Sequence, residues 1–293
     1  MRVMGLITKN VLERKEYSFI FFTDPPVEPS YSSLKFKDIL PEFSSIELGD
    51  KPLYKHQLEA YESLMKGLNV LLKAGTGSGK TEAWMLYALN RIREDKRFRT
   101  IALYPTLALA NDQIRRIEKY VGLVGGKSIQ IDGVKKEEYV KKHGLSWLRE
   151  ASGSSNIVIS NPAFLMHDLK KYLLRKTQGI LASLYSKLDL IIIDELDFYD
   201  PRSLAFLMSV LQILSDISDV KPQVAVLTAT LSNPEDMGDF LKKATGRDYR
   251  VVEGEAFRIT NHYYIVLGKN MREVYNSVRR LWGEAVKARP ELS

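Results

Sequence analysis

The sequence contains no cysteine, so disulfide staples and thiolate metal sites are excluded. Its four histidines are scattered and leave little room for a zinc site. Long apolar runs are missing as well. The most apolar stretch, "LDLIIIDEL", is far shorter than the roughly 20 residues a membrane span needs. The N-terminus, "MRVMGLITKN", has no continuous apolar segment of the secretory kind. Internal repeats and low-complexity tracts are absent. These absences lead to the expectation of a soluble intracellular protein, cytoplasmic and without a membrane partner. What is present is an ordinary globular composition: 293 residues, 45% of them hydrophobic, enough for one large domain or two small ones. The formal charge of +7 is compatible with a nucleic-acid partner without requiring one.

Residues 1–50 read as an N-terminal extension. A short apolar stretch, "YSFIFF", leads into "TDPPVEPSYSS", whose prolines oppose regular structure, so an extended arm is expected there. From Pro52 onward the pattern alternates. "NVLLKAG", "TIALYPT", "NIVISNP", "LDLIIIDE" and "QVAVLTAT" read as strands. "TEAWMLYALNRIRED", with Trp84, Ala88 and Ile92 on one face, "LALANDQIRRIEKYV" and "SLAFLMSVLQILSDI" read as helices. Strands that are apolar throughout are buried on both faces. The alternation therefore predicts an α/β fold with a mostly parallel central sheet and helices on both faces. The tail "NMREVYNSVRRLWGEAVKA" predicts an amphipathic helix with Met271, Val274, Tyr275, Val278, Leu281, Trp282 and Ala285 as its stripe.

The stretch "LLKAGTGSGKTE" carries the chemistry. From Ala74 through Gly75, Thr76, Gly77, Ser78, Gly79, Lys80, Thr81 and Glu82 it fits the phosphate-loop pattern, with Ala74 in the first slot where glycine is usual. Glycines allow successive backbone N–H groups to converge on a phosphate without side-chain clash. The helix that follows adds its positive N-terminal end. Lys80 supplies a cation to the β- and γ-phosphates, and the Thr81 hydroxyl is suited to Mg²⁺. Placement between a predicted strand and a predicted helix is the context this motif requires.

Further elements narrow the class. The buried run in "LIIIDELD" ends in Asp194-Glu195, at the sheet edge where parallel folds place their ligands. Asp194 can hold Mg²⁺ through water, and Glu195 can orient and deprotonate an attacking water. Gln57, in "LYKHQLEAY", offers one acceptor and two donors that match the N6/N7 edge of adenine. Thr228-Ala229-Thr230 closes the following strand. Its two hydroxyls can bond the carboxylates of "DELD" and relay the nucleotide state, although threonine also simply suits strands.

Tyr-x-x-Gln at Tyr54–Gln57, the phosphate loop, "YPTLALANDQ", "SNPAFLMHD", "DELD" and "LTATLSNPEDMGDFLKKATG" occur in this order. Together they resemble the first RecA-like domain of a superfamily 2 DExH/DEAD-box helicase, in the archaeal and bacterial Lhr-, MrfA- or Ski-type neighbourhood. The resemblance implies a RecA-like ATP-binding domain over 51–260, with ATP and Mg²⁺ as cofactors and nucleic acid as partner, DNA favoured over RNA. It implies that Tyr54 and Gln57 read adenine. It also implies that Thr228 and Thr230 couple the site to the strand-holding surface. Pro105 and Thr106, then Ser160, Asn161 and Pro162, would touch the nucleic-acid backbone; for Thr106 and Asn161 ordinary helix capping is the other reading. No role falls to His56, His143, His167 or His262, and Trp84 and Trp147 read as packing residues. A complete motor of this kind has a second RecA-like domain with a Q-x-x-G-R-x-G-R-like stretch. Here Gly246-Arg247, in "ATGRDYR", stands in the wrong context for it. Residues 261–293 are thus expected to be a linker and the start of that second domain, and truncation is favoured over completion by a partner. An AAA+-type ATPase acting on protein is the alternative, but it would lack the Gln57 element and the TAT. A non-catalytic nucleotide-binding module is a further one, which intact Lys80, Asp194 and Glu195 oppose.

Overall fold

The computed structural model of the chain describes residues 2–14, 16–174, 179–255 and 260–268, and the single positions 272, 273, 275, 276 and 279. Of the tail stripe, Tyr275 is among them; Met271, Val274, Val278, Leu281, Trp282 and Ala285 lie outside the described residues. The first elements are α1 (Arg2–Arg14), β1 (Phe19–Asp24), β2 (Tyr31–Lys35), α2 (Phe36–Ile39), β3 (Pro52–Tyr54) and α3 (Lys55–Met65). There follow β4 (Asn69–Ala74), α4 (Lys80–Glu94), β5 (Thr100–Leu103), α5 (Leu107–Leu123), β6 (Ser128–Gln130), α6 (Gly133–His143), α7 (Leu145–Ser154), β7 (Ile157–Ser160) and α8 (Pro162–Leu174). The remainder are α9 (Ala182–Tyr185), β8 (Leu190–Ile193), α10 (Pro201–Ile217), β9 (Gln223–Thr228), α11 (Pro234–Thr245), β10 (Tyr249–Gly254) and β11 (Asn261–Val266).

Seven strands form one sheet in the order β10-β4-β9-β8-β5-β7-β6, and every neighbouring pair is parallel. The apolar runs explain its burial. Along each central strand, side chains alternate between two cores. Val70 and Leu72, Leu190 and Ile192, and Ala225 and Leu227 enter the core shared with Trp84, Leu89 and Ile117. Leu71, Ile191 and Ile193, and Val224 and Val226 enter the opposite core with Leu165, Leu207 and Leu211. This is the expected α/β architecture with helices on both faces, and it sets the C-terminal ends of β4, β8 and β9 side by side.

The chain divides into two compact units, Pro29–Ala256 and a second made of Met1–Glu28 with Phe257–Ser293. The expected boundary at residue 50 therefore moves to residue 28. Residues 31–35 are not an arm. They pair antiparallel with β3, Tyr31 opposite Tyr54 and Lys35 opposite Pro52. Phe36, Leu40 and Phe43 follow into the first core. The prolines that argued for an arm lie before this hairpin. Within the other unit, β1 pairs antiparallel with β11 from Phe19 opposite Val266 to Asp24 opposite Asn261. Its aromatic rungs are Phe22 stacked on Tyr263, with centroids 4.8 Å apart, and Phe21 tilted against Tyr264 at 4.9 Å. The segment "NHYYIV", expected as linker, is thus a strand whose partner is the apolar N-terminal stretch.

Candidate active site

The phosphate loop runs from the end of β4 into α4. Gly77 and Gly79 adopt φ of 78° and 74°, which side chains disfavour. At Gly79 a Cβ would also lie 2.3 Å from Gln57 Nε2, so this glycine is required on both counts. Lys80 is almost fully buried. Its Nζ donates to the Ala74 carbonyl at 3.1 Å and lies 3.7 Å from Glu195 Oε2. The loop thus holds its lysine over the cradle, with the acidic pair at the end of β8 facing it.

That acidic pair is shaped by the backbone. Glu195 sits at φ 51°, a left-handed conformation uncommon outside glycine, immediately after the last residue of the buried run. Its N–H donates to Asp194 Oδ1 at 2.9 Å. Asp194 is buried, and its amide donates to Leu103 at the end of β5. Burial, then the neighbouring charge of Glu195, pushes the Asp194 carboxyl up to about 6, against the pull of Lys80. The Tyr104 phenol beside it is fully buried, and is pushed well above its ordinary range by burial and by the Asp194 charge. A desolvated carboxylate opposed by a like charge fits a divalent cation. Thr81 and Asp194 are the residues that would hold Mg²⁺, which would neutralise phosphate charge there.

Of the carboxylates in "DELD", it is Asp197 that meets the TAT segment. Thr228 Oγ1 lies 3.0 Å from Asp197 Oδ1, and the Ala229 amide lies 3.4 Å from the same oxygen. Thr228 Oγ1 also lies 2.7 Å from the Thr230 carbonyl. The end of β9 is therefore tied to the turn that carries Glu195, through Thr228; Thr230 contributes its backbone and leaves its side chain exposed.

A family model described as DEAD/DEAH box helicase matches residues 54–237, well over half of the chain. The chain belongs to the DEAD/DEAH box helicase family. It is 32% identical over 212 residues to the uncharacterized ATP-dependent helicase YprA of Bacillus subtilis, covering 70% of this chain and 26% of that protein. It is 27% identical over 264 residues to the uncharacterized ATP-dependent helicase MJ1574 of Methanocaldococcus jannaschii, covering 88% of this chain and 36% of that one. Among solved structures, the helicase MrfA bound to DNA and AMPPNP superposes with a TM-score of 0.77 at 27% identity, over 96% of this chain and 39% of that one. The chain thus spans between a quarter and two fifths of the lengths of these relatives.

Seen as a DEAD/DEAH box domain, the remaining expected residues fall into two groups. Gln57 lies against the loop: Oε1 accepts from Tyr54 N at 2.9 Å and Nε2 donates to the Gly79 carbonyl at 3.0 Å. Tyr31, Tyr54 and Gln57 line a cavity of about 290 Å³ that also touches Gly77 and Gly79, with the Tyr31 and Tyr54 rings 5.0 Å apart. Glu82, expected among the nucleotide contacts, lines the same cavity and also forms an ion pair with Arg116 of α5 at 2.7 Å. Thr106 and Asn161 both cap helices, accepting from Leu109 N at 3.3 Å and Phe164 N at 2.8 Å, with Thr106 exposed. Pro105 and Pro162 flank these caps, half-buried. Ser160 is a correction: its side chain is buried and donates to the Ile131 carbonyl at 2.6 Å, so it fastens β7 to the segment after β6 instead of meeting a ligand. His56, Tyr104 and Arg116 are the site residues that sequence reasoning missed, whereas Asp197 was read only as one of the carboxylates of "DELD". The signal for His56 was adjacency to Gln57; Arg116 carried none. Among the described residues no helix is long and apolar enough to cross a membrane.

The Asp194 carboxyl gives a pH dependence. Raised above its unfolded value, it favours the folded state below the unfolded pKa, and this stabilisation is lost as pH rises through about 6. Metal binding needs the deprotonated form. ADP affinity measured with Mg²⁺ should therefore weaken as pH falls below about 6, whereas affinity in a chelator should not. Calorimetry on both sides of this pH checks it; an unchanged gap between the two conditions would remove Asp194 from the cation site.

Proposed function

We propose that this chain is the ATP-binding half of a nucleic-acid helicase or translocase, working in the cytoplasm with ATP–Mg²⁺ and completed by a second RecA-like domain. The observation that carries this reading is the convergence of Lys80 with Glu195 at 3.7 Å, beside buried Asp194, at the C-terminal edge of one parallel sheet, from strands on either side of β9. Lys80 attracts the β- and γ-phosphates. As they draw its charge away from Glu195, that carboxylate becomes free to orient a water and accept its proton as the terminal phosphate is displaced. Tyr54 and Gln57 serve the base and Gly75 to Thr81 the phosphates. The Thr228–Asp197 bond gives β9 a direct mechanical link to the hydrolytic turn.

Pro105, Thr106, Asn161 and Pro162 would face the sugar–phosphate backbone from loops at the same sheet edge, where amides and hydroxyls hold phosphate without reading bases. DNA is favoured over RNA because MrfA, matched over nearly the whole chain, is seen with DNA. Single-strand affinity should fall steeply with salt, by about 0.7 in log K per log salt for each phosphate neutralised. Titration of labelled oligonucleotides at two salt concentrations measures this, and tight, salt-insensitive binding would contradict backbone recognition. The reading as a whole is tested by steady-state ATP turnover of the full-length protein with single-stranded DNA, with RNA and with neither. Stimulation by DNA above RNA is expected; turnover indifferent to both would argue against a nucleic-acid motor.

A further inference from the structure

His56 is a buried polar residue, and no part of the catalytic chemistry uses it. Its Nε2 lies 2.9 Å from the Ser78 carbonyl oxygen. A carbonyl can only accept, so Nε2 carries the proton and donates. Burial lowers the imidazole's pKa below its ordinary value, which favours the neutral ring with that tautomer. The next residue, Gln57, donates to the next carbonyl, that of Gly79, at 3.0 Å. Consecutive residues of α3 therefore grip consecutive peptides of the phosphate loop. A trans peptide is planar, with its C=O and the following N–H directed to opposite sides. Fixing the Ser78 and Gly79 carbonyls on α3 therefore turns the Gly79 and Lys80 N–H groups away from it. These N–H groups are what a phosphate needs.

The imidazole itself has a built seat. It stacks on the Tyr54 ring, with centroids 5.4 Å apart and planes 13° from parallel. Its other edge lies against Gly254, the last residue of β10, where a Cβ would stand 2.4 Å from His56 Cγ and 2.5 Å from Nδ1. The ring also borders a cavity of about 490 Å³ lined by Gly75, Lys73, Glu253 and Gly254. A side chain at 254 would collide with the ring and with His56 Cβ at 2.8 Å, so the imidazole could not keep this seat.

We propose that His56 is a positioning residue that holds the phosphate loop in its receptive form through the Ser78 carbonyl, and that Gly254 at the end of β10 is the seat that keeps it there. The proposal rests on the reading of this loop as a nucleotide site. It gives the two neighbours different roles. His56 serves phosphate irrespective of the base, whereas Gln57 serves both loop and base.

The test is calorimetric titration of the chain and its variants with ADP, GDP and inorganic pyrophosphate, each with Mg²⁺, with thermal melts to confirm folding. His56→Ala should weaken ADP and pyrophosphate alike, by about tenfold, and leave the ADP-to-GDP preference unmoved. Gln places an amide nitrogen where Nε2 stands and Asn places one where Nδ1 stands, so His56→Gln should restore binding and His56→Asn should not. Gly254→Ala, which lies outside the phosphate loop, should reproduce the His56→Ala loss while still melting cooperatively. Wild-type affinity in His56→Ala or in Gly254→Ala, a loss confined to ADP, or equal behaviour of the Gln and Asn variants would overturn the proposal. A wild-type chain that binds neither ADP nor pyrophosphate would overturn the nucleotide site itself, a distinct outcome from loss of the His56 effect alone.

Discussion

Replacing Lys80 with alanine should cost about 2–4 kcal/mol of ADP–Mg²⁺ affinity, roughly 30- to 1,000-fold, with little change in the fold. The size follows from where the ammonium sits. It is held 3.1 Å from the Ala74 carbonyl and 3.7 Å from Glu195, almost wholly out of water, so its charge is weakly screened. In the variant the phosphates would enter beside Glu195 and Asp194 with no cation contributed by the loop. The backbone cradle would remain, since Gly77 and Gly79 and the grip of His56 and Gln57 do not depend on the lysine. Calorimetry with ADP and Mg²⁺ reads the loss, and unchanged affinity would dismiss the assignment of this loop as the phosphate site.

Turnover offers a still larger contrast. The 293-residue chain alone should hydrolyse ATP about 10³–10⁵ times more slowly than a chain that carries a second RecA-like domain, and should unwind nothing. In the proposed reading Glu195 and Lys80 would supply the proton acceptor and one cation. The transition-state charge on the equatorial oxygens still calls for an arginine aimed at it from across the nucleotide. No stretch of the Q-x-x-G-R-x-G-R kind occurs in the sequence. Arg247 of the Gly246-Arg247 pair spends its guanidinium on the Lys221 and Gly67 carbonyls at the opposite, N-terminal ends of β9 and β4. Single-turnover and steady-state assays with and without the added domain would compare the two directly. Robust DNA-stimulated turnover by the purified 293-residue monomer would show that the motor is completed by residues already present.

Much of this architecture is legible in the residues alone. Continuous apolar runs such as "LIII" can only be buried on both faces, and β8 is buried at every position. The phosphate loop could be read residue by residue, because glycine, lysine and threonine are each demanded by a different feature of phosphate and metal chemistry. The acidic turn after β8 could be placed at the ligand edge because parallel sheets expose their sites there. Those inferences rest on short-range pattern, where a residue's role follows from its immediate neighbours in sequence.

The tertiary structure decided what depends on distant partners. Ser160 stands next to a functional position in sequence, yet its side chain is buried against Ile131, and Glu82 meets a partner, Arg116, that lies a helix away. The boundary at residue 28 followed from Phe36, Leu40 and Phe43 entering a core whose other members lie far along the chain. The pairing of β1 with β11 joins segments from opposite ends of the sequence, which no periodicity announces. Asp197, not the acidic pair before it, receives Thr228, because the chain turns at Glu195 and carries the third carboxylate back over the end of β9. The sequence by itself determined which residues have the chemistry for ATP, since side-chain type and local spacing specify that. Only the fold decided which of them face the nucleotide and which, like His56 behind Ser78, hold the others in place, since long-range packing sets the direction in which each group points.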